Sequence, residues 1–467
     1  MGDGLIAAVG TLGPGGRPLV PHHRGNLERR KAVPAVRSDR SARRSLCTPR
    51  PRTPTSYLLI FYLVLPLSAS RIGKEVGAAK AEETTSGFLF PAFVSLINFV
   101  QTLHAQTELR LARAAARLPD PGSALLLTPG ADLWYLTGFE HSHAGERLLA
   151  LVLRQDGSSD WIVPAMNVPQ VEPHRVAGQA LRAWTDAETF GPALAAAVRG
   201  TPTVYFDEEA RAGFLLDLLA LPNAPAARRS GEILRGLRLC KDTAELAAMR
   251  ASARVVDDAI PEAVAFCRAG RTELEIAADL CAALVRRAPA ATVAFTIVAG
   301  GPHSALPHHE TGIRPLEPGD VVILDFGVRL HGYLSDITVT CSVGDPRDPE
   351  VSRVYRTVWE AQQQAIAAIR PGVPCRDVDA AARSHIQAAG YGEQFLHRTG
   401  HGLGIQVHEP PYLVGNNDEL LEEGMVFSIE PGIYLADRFG VRLEVIASVT
   451  ADGVALLNAP SAADIRT

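Results

Sequence analysis

Cysteine is scarce in this sequence of 467 residues. There are six cysteines, and no two of them stand in a Cys-x-x-Cys pair. This spacing excludes a zinc ribbon and a thioredoxin-like redox motif. So few thiols in so long a chain are typical of a reducing compartment, and we expect a cytoplasmic protein. An excess of charge of one sign is missing as well, because 46 Lys and Arg residues face 51 Asp and Glu residues. That balance gives no reason to expect a nucleic-acid partner.

Hydrophobic runs long enough to span a membrane are also absent. The apolar run 57–67 has eleven residues, whereas a membrane span needs about 20. This run resembles the hydrophobic part of a signal peptide, but it lies more than fifty residues from the start of the chain. Residues 1–56 have a net charge of +8 and no hydrophobic periodicity. We therefore predict that 1–104 is a disordered or non-native extension. An export or anchoring signal is the alternative, and we expect no membrane association.

Two globular domains are predicted after this extension. In 105–236, strand patterns alternate with helix patterns, which favours a small α/β domain. In 237–467, helix patterns are mixed with antiparallel hairpins, which predicts an α+β domain. Within it, Thr272 and Glu275 form a capping-box pattern that indicates the start of a helix.

Two aspartates suggest a cation site in the second domain. Asp325 follows the apolar run 321–324, where a buried strand would ordinarily carry an aliphatic residue. Asp336 follows in what we predict to be the next strand. A hairpin that turns at Leu330 and His331 would place the two acids directly opposite each other, with Cβ atoms about 5 Å apart. Buried carboxylates at that distance repel each other unless a proton or a cation lies between them. Two exposed acids on a rim are the alternative.

Two glutamates repeat this pattern. Glu430 follows an apolar run, and Glu444 lies within what we predict to be a single strand over 440–449. Each could instead pair with a cation such as Arg442. Four carboxylates and one imidazole would form a hard, oxygen-rich ligand set for Mn(II), Co(II) or Zn(II). Such a set can hold two ions about 3.5–4 Å apart, and a hydroxide shared between them would attack a carbonyl carbon.

Histidines supply the remaining candidate groups. His397, His401 and His408 lie within twelve residues, and glycines flank His401 on both sides. Glycine allows a close approach of the backbone that a Cβ atom would block. His308 is a weaker candidate, and the adjacent His309 could be a false one.

Seven sequence blocks carry a resemblance to a known family. These blocks are 305–308, 319–327, 332–338, 397–404, 407–409, 424–434 and 440–444. In composition and order they resemble the pita-bread metallopeptidases, which include methionine aminopeptidase, aminopeptidase P and prolidase. The resemblance implies a pita-bread catalytic domain. A histidine four residues before His401, here His397, resembles the pattern of the proline-specific branch. The block 133–138 resembles part of the creatinase-like amino-terminal domain of that branch.

The resemblance also implies roles for individual residues. The implied metal ligands are Asp325, Asp336, His401, Glu430 and Glu444. They would hold two divalent ions, with manganese preferred and zinc or cobalt as alternatives. Glu430 would also transfer the proton during hydrolysis. The implied catalytic histidines are His308, His397 and His408, and the implied substrate-binding residues are Arg442 and Tyr434.

The implied activity is hydrolysis of small peptides that have proline at the second position. A short amino-terminal domain favours an Xaa-Pro dipeptidase over an Xaa-Pro aminopeptidase, which is the alternative. A homodimer is expected in either case. An alternative that is not an enzyme is a pita-bread module that binds peptides or proteins without catalysis.

Overall fold

A computed structural model describes residues 106–141 and 145–467. The predicted extension 1–104 therefore lies outside the described residues. Within the described ranges, no helix is both long enough and apolar enough to span a membrane. The boundary that we placed between residues 236 and 237 stays a prediction, and it falls within a helix that spans Gly231–Arg238.

The amino-terminal region, 106–236, is built around a six-stranded mixed sheet. Its strands are β1 Ala124–Leu127, β2 Ala150–Arg154, β3 Ser159–Pro164, β4 Ala180–Trp184, β5 Thr203–Phe206 and β6 Ala226–Arg229. Its helices are α1 (106–116), α2 Ala131–Thr137, α3 Val168–Val171, α4 Gly191–Ala197, α5 Ala212–Leu219 and α6 Gly231–Arg238. The strand order is β4-β3-β2-β1-β5-β6, and β1 pairs antiparallel with β2 but parallel with β5. The predicted α/β character of this region is present.

Strand β1 shows that this sheet has a hydrophobic layer on each of its two faces. All four of its residues are buried. Leu125 and Leu127 pack in one hydrophobic cluster, whereas Ala124 and Leu126 pack in another. Because successive side chains of a strand point to opposite faces, a continuous apolar run indicates a sheet with a hydrophobic layer on each side.

The carboxy-terminal region, 237–467, contains five α-helices. They are α7 Thr243–Asp257, α8 Ile260–Phe266, α9 Glu273–Arg287, α10 Val351–Ala368 and α11 Cys375–Ala388. The capping box predicted at the start of α9 is present: the Thr272 hydroxyl accepts from the Glu275 amide at 3.2 Å, and the Glu275 carboxylate accepts from the Thr272 amide at 2.9 Å. These bonds satisfy two amides that the first turn of the helix leaves free.

The strands of this region form three further sheets. They are β7 Thr292–Gly300, β8 Val321–Leu330, β9 Tyr333–Leu334, β10 Ile337–Ser342, β11 Gly400–Gly402, β12 Glu409–Leu413, β13 Val426–Ile429, β14 Gly432–Leu435, β15 Phe439–Arg442, β16 Val445–Thr450 and β17 Gly453–Leu456. One sheet has the order β10-β8-β7, with β9 also paired to β8. The second has the order β12-β11-β13-β16-β17, and β14 pairs with β15 alone. Helices mixed with antiparallel strands make this region α+β, as predicted.

The hairpin that carries the two aspartates has a different register from the predicted one. Asp325 lies opposite Thr338, not opposite Asp336. The turn residues are His331 and Gly332, which both have positive φ, 53° and 81°, as a two-residue hairpin turn of the I′ type requires. Placing the turn at 330–331 was therefore wrong, and the register moves by two residues. An even shift keeps both acids on the same face of the hairpin, as diagonal neighbours.

Candidate active site

Three of the predicted ligands lie where a strand is interrupted. Asp336 stands between β9 and β10, Glu430 between β13 and β14, and Glu444 between β15 and β16. The expectation that Asp336 and Glu444 lie inside strands was wrong. In each case one strand ends before the acid and the next strand begins directly after it. Asp325 lies within β8 and His401 within β11. An interruption frees the side chain from strict alternation, so acids from separate strands can point to one place.

These five residues, called the ligand cluster below, come together in the structure. Asp336, His401 and Glu444 each offer one ligand atom, and the three atoms lie within 4.8 Å of one another. Nε2 of His401 lies 3.6 Å from Oδ2 of Asp336 and 3.3 Å from Oε1 of Glu430. Asp325 lies close enough for its charge to act on Asp336, Glu430 and Glu444. The cluster is buried apart from Glu430, which is partly exposed.

Burial is the main influence on the electrostatics of the ligand cluster, and repulsion among the carboxylates adds to it. Burial, reinforced by the charges of Asp325 and Glu430, raises the pKa of Asp336 well above its ordinary value. Burial and the three neighbouring acids raise the pKa of Glu444 in the same way. Burial also raises the pKa of Glu430 to about 7, although Arg442 opposes the shift. The site thus concentrates negative charge that its own cations do not neutralise.

The donor atoms fit divalent metal ions. Oδ1 of Asp325 and Oε1 of Glu444 are buried and have no hydrogen-bond partner among the described residues. Nδ1 of His401 donates to the carbonyl oxygen of Gly402 at 3.1 Å, and burial lowers the pKa of this histidine to about 3. The imidazole is therefore neutral, with the lone pair of Nε2 facing the oxygens of Asp336 and Glu430. A lone pair and carboxylate oxygens repel each other at this distance. A cation bound between them would replace this repulsion with attraction.

Arg442 is the cation nearest to these acids. Its Nη2 atom lies 2.6 Å from Oδ2 of Asp325, and its side chain is 4% exposed. The alternative was that Glu430 or Glu444 pairs with Arg442, but among the described residues the ion pair of Arg442 is with Asp325. It does not extend to the cluster as a whole, because one guanidinium faces four carboxylates.

A chain of hydrogen bonds links Arg442 to the first candidate histidine. Nη1 of Arg442 donates to the Tyr434 hydroxyl at 2.9 Å, and this hydroxyl lies 2.8 Å from Nε2 of His397. Burial lowers the pKa of His397 to about 4, so the ring is neutral and accepts from Tyr434 while its Nδ1 donates to the carbonyl of Arg398. Arg442 and Tyr434 are both buried and have internal partners. Their substrate-binding role stays a prediction.

His308 and His408 lie on the solvent side of the ligand cluster. Both are exposed. The ring of His408 lies 4.2 Å from the ring of His401, centroid to centroid. The charge of His308 acts on both His397 and His408, which places it near them. The predicted catalytic histidines are therefore gathered around the cluster.

A cavity of about 600 Å³ opens beside His408. Its walls come from both regions, with Asp132 and Glu209 on one side and Gln406 and Tyr412 on the other. Cavities of about 300–1,000 Å³ are the usual size for small-molecule sites.

Sequence reasoning missed Gln362. This fully buried side chain of α10 donates to the carbonyls of Ile429 and Leu443, at 3.0 and 2.8 Å. Those residues directly precede Glu430 and Glu444, so one amide group holds both strand interruptions. The available signal was a polar residue on the buried stripe of an otherwise amphipathic helix.

Known families match both regions of the chain. Residues 110–240 match the Creatinase/Prolidase N-terminal domain, and residues 247–451 match metallopeptidase family M24. A relative from Mycobacterium bovis, named probable dipeptidase PepE, is 41% identical over 355 residues, which cover 75% of this chain and 93% of that protein.

Solved structures agree with this match. Dipeptidase PepE from Mycobacterium ulcerans has a TM-score of 0.72 at 39% identity, with 78% of this chain and 98% of that chain covered. A recombinant prolidase from Thermococcus sibiricus has a TM-score of 0.73 at 35% identity, with 77% and 98% covered. The predicted family and fold, a pita-bread domain preceded by a creatinase-like domain, are confirmed.

Proposed function

This chain belongs to metallopeptidase family M24, and from that premise we propose that it is a dinuclear-metal peptidase of the Xaa-Pro bond, with Xaa-Pro dipeptides as its preferred substrates. The observation that carries the proposal is the ligand cluster itself. Four acids and a neutral histidine converge, and two buried carboxylate oxygens in it have no partner within the described ranges. The names of the relatives, dipeptidase and prolidase, support the choice of a small peptide substrate.

The ligand cluster would hold both metal ions. Its members are Asp325, Asp336, His401, Glu430 and Glu444. Membership of a metallopeptidase family implies a divalent metal, and we propose manganese because oxygen ligands prevail, with zinc or cobalt as alternatives. When bound, such ions polarise a carbonyl and lower the pKa of water, which supplies a nucleophile at neutral pH.

Glu430 is the group that would move the proton. A carboxylate beside the reacting groups can accept a proton and return it within the same site. The Oε1 atom of Glu430 faces His401 at 3.3 Å, so the carboxylate lies within the cluster. In the proposed reaction it accepts the proton of the attacking water and passes it to the leaving nitrogen of proline.

The exposed histidines would contact the substrate. His308 and His408 can donate to the carbonyl oxygen of the scissile bond and stabilise the negative charge that develops there. His397 has both ring nitrogens engaged internally, so we propose that it helps to position Arg442 and Asp325 through Tyr434. A homodimer and a cytoplasmic location remain predictions.

A panel of peptides and divalent ions tests the proposal. Turnover of an Xaa-Pro dipeptide, an Xaa-Pro-Yaa tripeptide and a Met-Ala-Xaa tripeptide is compared, with His401→Ala as the inactive control. We expect the manganese-loaded protein to hydrolyse the dipeptide fastest and the Met-Ala-Xaa peptide not at all. Faster release from the tripeptide would favour an Xaa-Pro aminopeptidase. Hydrolysis of none of them by metal-loaded protein would favour a non-catalytic binding module.

A further inference from the structure

A second group of metal-binding side chains lies outside the ligand cluster. It consists of Glu273, the first residue of α9, together with His303 and His309. Oε1 of Glu273 lies 2.9 Å from Nδ1 of His303, and Oε2 lies 2.8 Å from Nε2 of His309. The three ligand atoms lie within 4.8 Å of one another. Each oxygen of one carboxylate thus faces one imidazole.

The two rings lie close together, and one of them reaches solvent. Their centroids lie 4.3 Å apart with an interplanar angle of 32°. The side chain of His303 is 36% exposed, whereas that of Glu273 is fully buried. The amides of Gly300 and Gly312 donate to the carboxylate at 2.8 and 3.1 Å and fix it in place. A ligand can therefore enter on the His303 side and meet a rigid carboxylate.

Glu273 is ionised, as a carboxylate that binds a metal must be. Burial works against ionisation, but the hydrogen bonds from Gly300, His309, His303 and Gly312 outweigh it and lower the pKa of Glu273. The imidazoles can offer lone pairs to an ion by moving the ring proton to the other nitrogen. That change of tautomer needs no net loss of charge.

We propose that Glu273, His303 and His309 form a third metal site that takes a zinc-type ion. Two histidines and one carboxylate are the protein ligands of zinc sites that keep a fourth position open. Zinc-to-ligand distances of about 2.0–2.2 Å place tetrahedral ligand atoms about 3.3 Å apart, so the nitrogen-to-oxygen distances would widen by about half an ångström. Two imidazoles favour zinc over manganese, in contrast to the oxygen-rich ligand cluster.

A metal ion at the third site would fix the position of the segment that carries His308. His303 and His309 lie before and after His308 in the chain, and Glu273 lies on α9. A zinc ion bound to all three would tie this segment to the helix. The site goes beyond the proposed function, since its occupancy does not depend on peptide hydrolysis.

Zinc counting on the full chain tests the site. Protein saturated with manganese is dialysed against low-micromolar zinc, and bound zinc is measured by elemental analysis. The test variant is His303→Ala. The matched control is His385→Ala, because His385 also pairs with a carboxylate, Glu360, at 3.1 Å and is 31% exposed, but has no third ligand in the described part of the chain.

We expect His303→Ala to bind one zinc ion per chain fewer than the wild type, and His385→Ala to bind as many. Equal counts for the wild type and His303→Ala would overturn the proposal. His303→Asn, which keeps a polar side chain, replaces the alanine variant if circular dichroism shows that the latter is unfolded. A chain that binds this zinc but hydrolyses no peptide would refute the proposed function alone.

Discussion

Two buried groups of acids in this molecule differ in how many cations accompany them. In the ligand cluster, four carboxylates are accompanied by one guanidinium, that of Arg442, which contacts Asp325. Elsewhere, Glu409 lies 2.8 Å from Nζ of Lys241 and 2.5 Å from Nη2 of Arg238, whose other terminal nitrogen lies 2.6 Å from Asp132. This second group, called the Glu409 cluster below, contains two acids and two bases. It joins α2 and α6 of the amino-terminal region to β12.

The pKa of Glu409 shifts in the opposite direction from the pKa values of Asp336 and Glu444. Burial opposes ionisation in both clusters, but Lys241 and Arg238 outweigh it and lower the pKa of Glu409. In the ligand cluster, burial and neighbouring acids together raise the pKa of Asp336 and Glu444. Burial of an acid is therefore not a sign of function by itself. Negative charge that the chain leaves uncompensated is the sign, because only an external cation or a proton can neutralise it.

Removing one acid from the ligand cluster should have the largest effect. We expect Asp336→Asn to lower turnover by about a thousandfold or more, since losing a metal ligand removes about 4 kcal/mol of transition-state stabilisation. The metal-free variant should nevertheless unfold at a higher temperature than the metal-free wild type, because a repelling charge is gone. Calorimetry measures this rise, and each kcal/mol corresponds to about 2–4 °C.

Manganese separates the two effects of that substitution. At a concentration of about 100 times Kd, the ion should stabilise the wild type by about 2.7 kcal/mol, and it should stabilise Asp336→Asn much less. Unchanged turnover, or a metal-free variant less stable than the wild type, would contradict the assignment of Asp336 as a ligand.

Removing the charge of Glu409 should instead lower the stability of the protein. Glu409→Gln leaves Lys241 and Arg238 buried without their shared charge partner, and breaking a buried pair in this way costs about 3–5 kcal/mol. Urea unfolding measures this loss, and metal content should not change. The control is Glu232→Gln, whose side chain is 91% exposed and lies 3.9 Å from Arg235. An exposed pair contributes about 0–1 kcal/mol. Similar losses for both variants would mean that the Glu409 cluster is not a structural ion pair.

Local patterns in the sequence predicted the start of α9 and singled out the four acids of the ligand cluster, whereas the full set of five ligands came from the family resemblance. The capping box at Thr272 marked the start of α9, and the hairpin pattern placed Asp325 and Asp336 on one face, because the register differs from the predicted one by two residues, an even number. Such features depend on neighbouring residues, so they can be recognised without knowing the partner strand.

The interruptions of the strands could not be predicted in this way. Around Glu444 the residues are apolar on both sides, which is typical of one continuous strand, yet β15 pairs with β14 whereas β16 pairs with β13. Gln362 is 67 and 81 residues away from the carbonyls that it holds. An exchange of strand partners and a bond across that separation are set by tertiary packing, which local periodicity does not encode.

The smallest expected effect is the pH dependence of the stability that the ion pairs of Glu409 provide. Because the pKa of Glu409 is lower in the folded protein than in the unfolded chain, its ionised form stabilises the fold above the unfolded pKa, and this contribution is lost as the pH falls through the folded value. Glu409→Gln lacks a titrating group at this position. We therefore expect the gap in unfolding free energy between wild type and variant to be widest at neutral pH and to narrow on acidification. Urea midpoints measured from pH 7 downward, with Glu232→Gln in parallel, measure the gap. A gap that stays constant over this range would show that Lys241 and Arg238 do not hold Glu409 in its charged form.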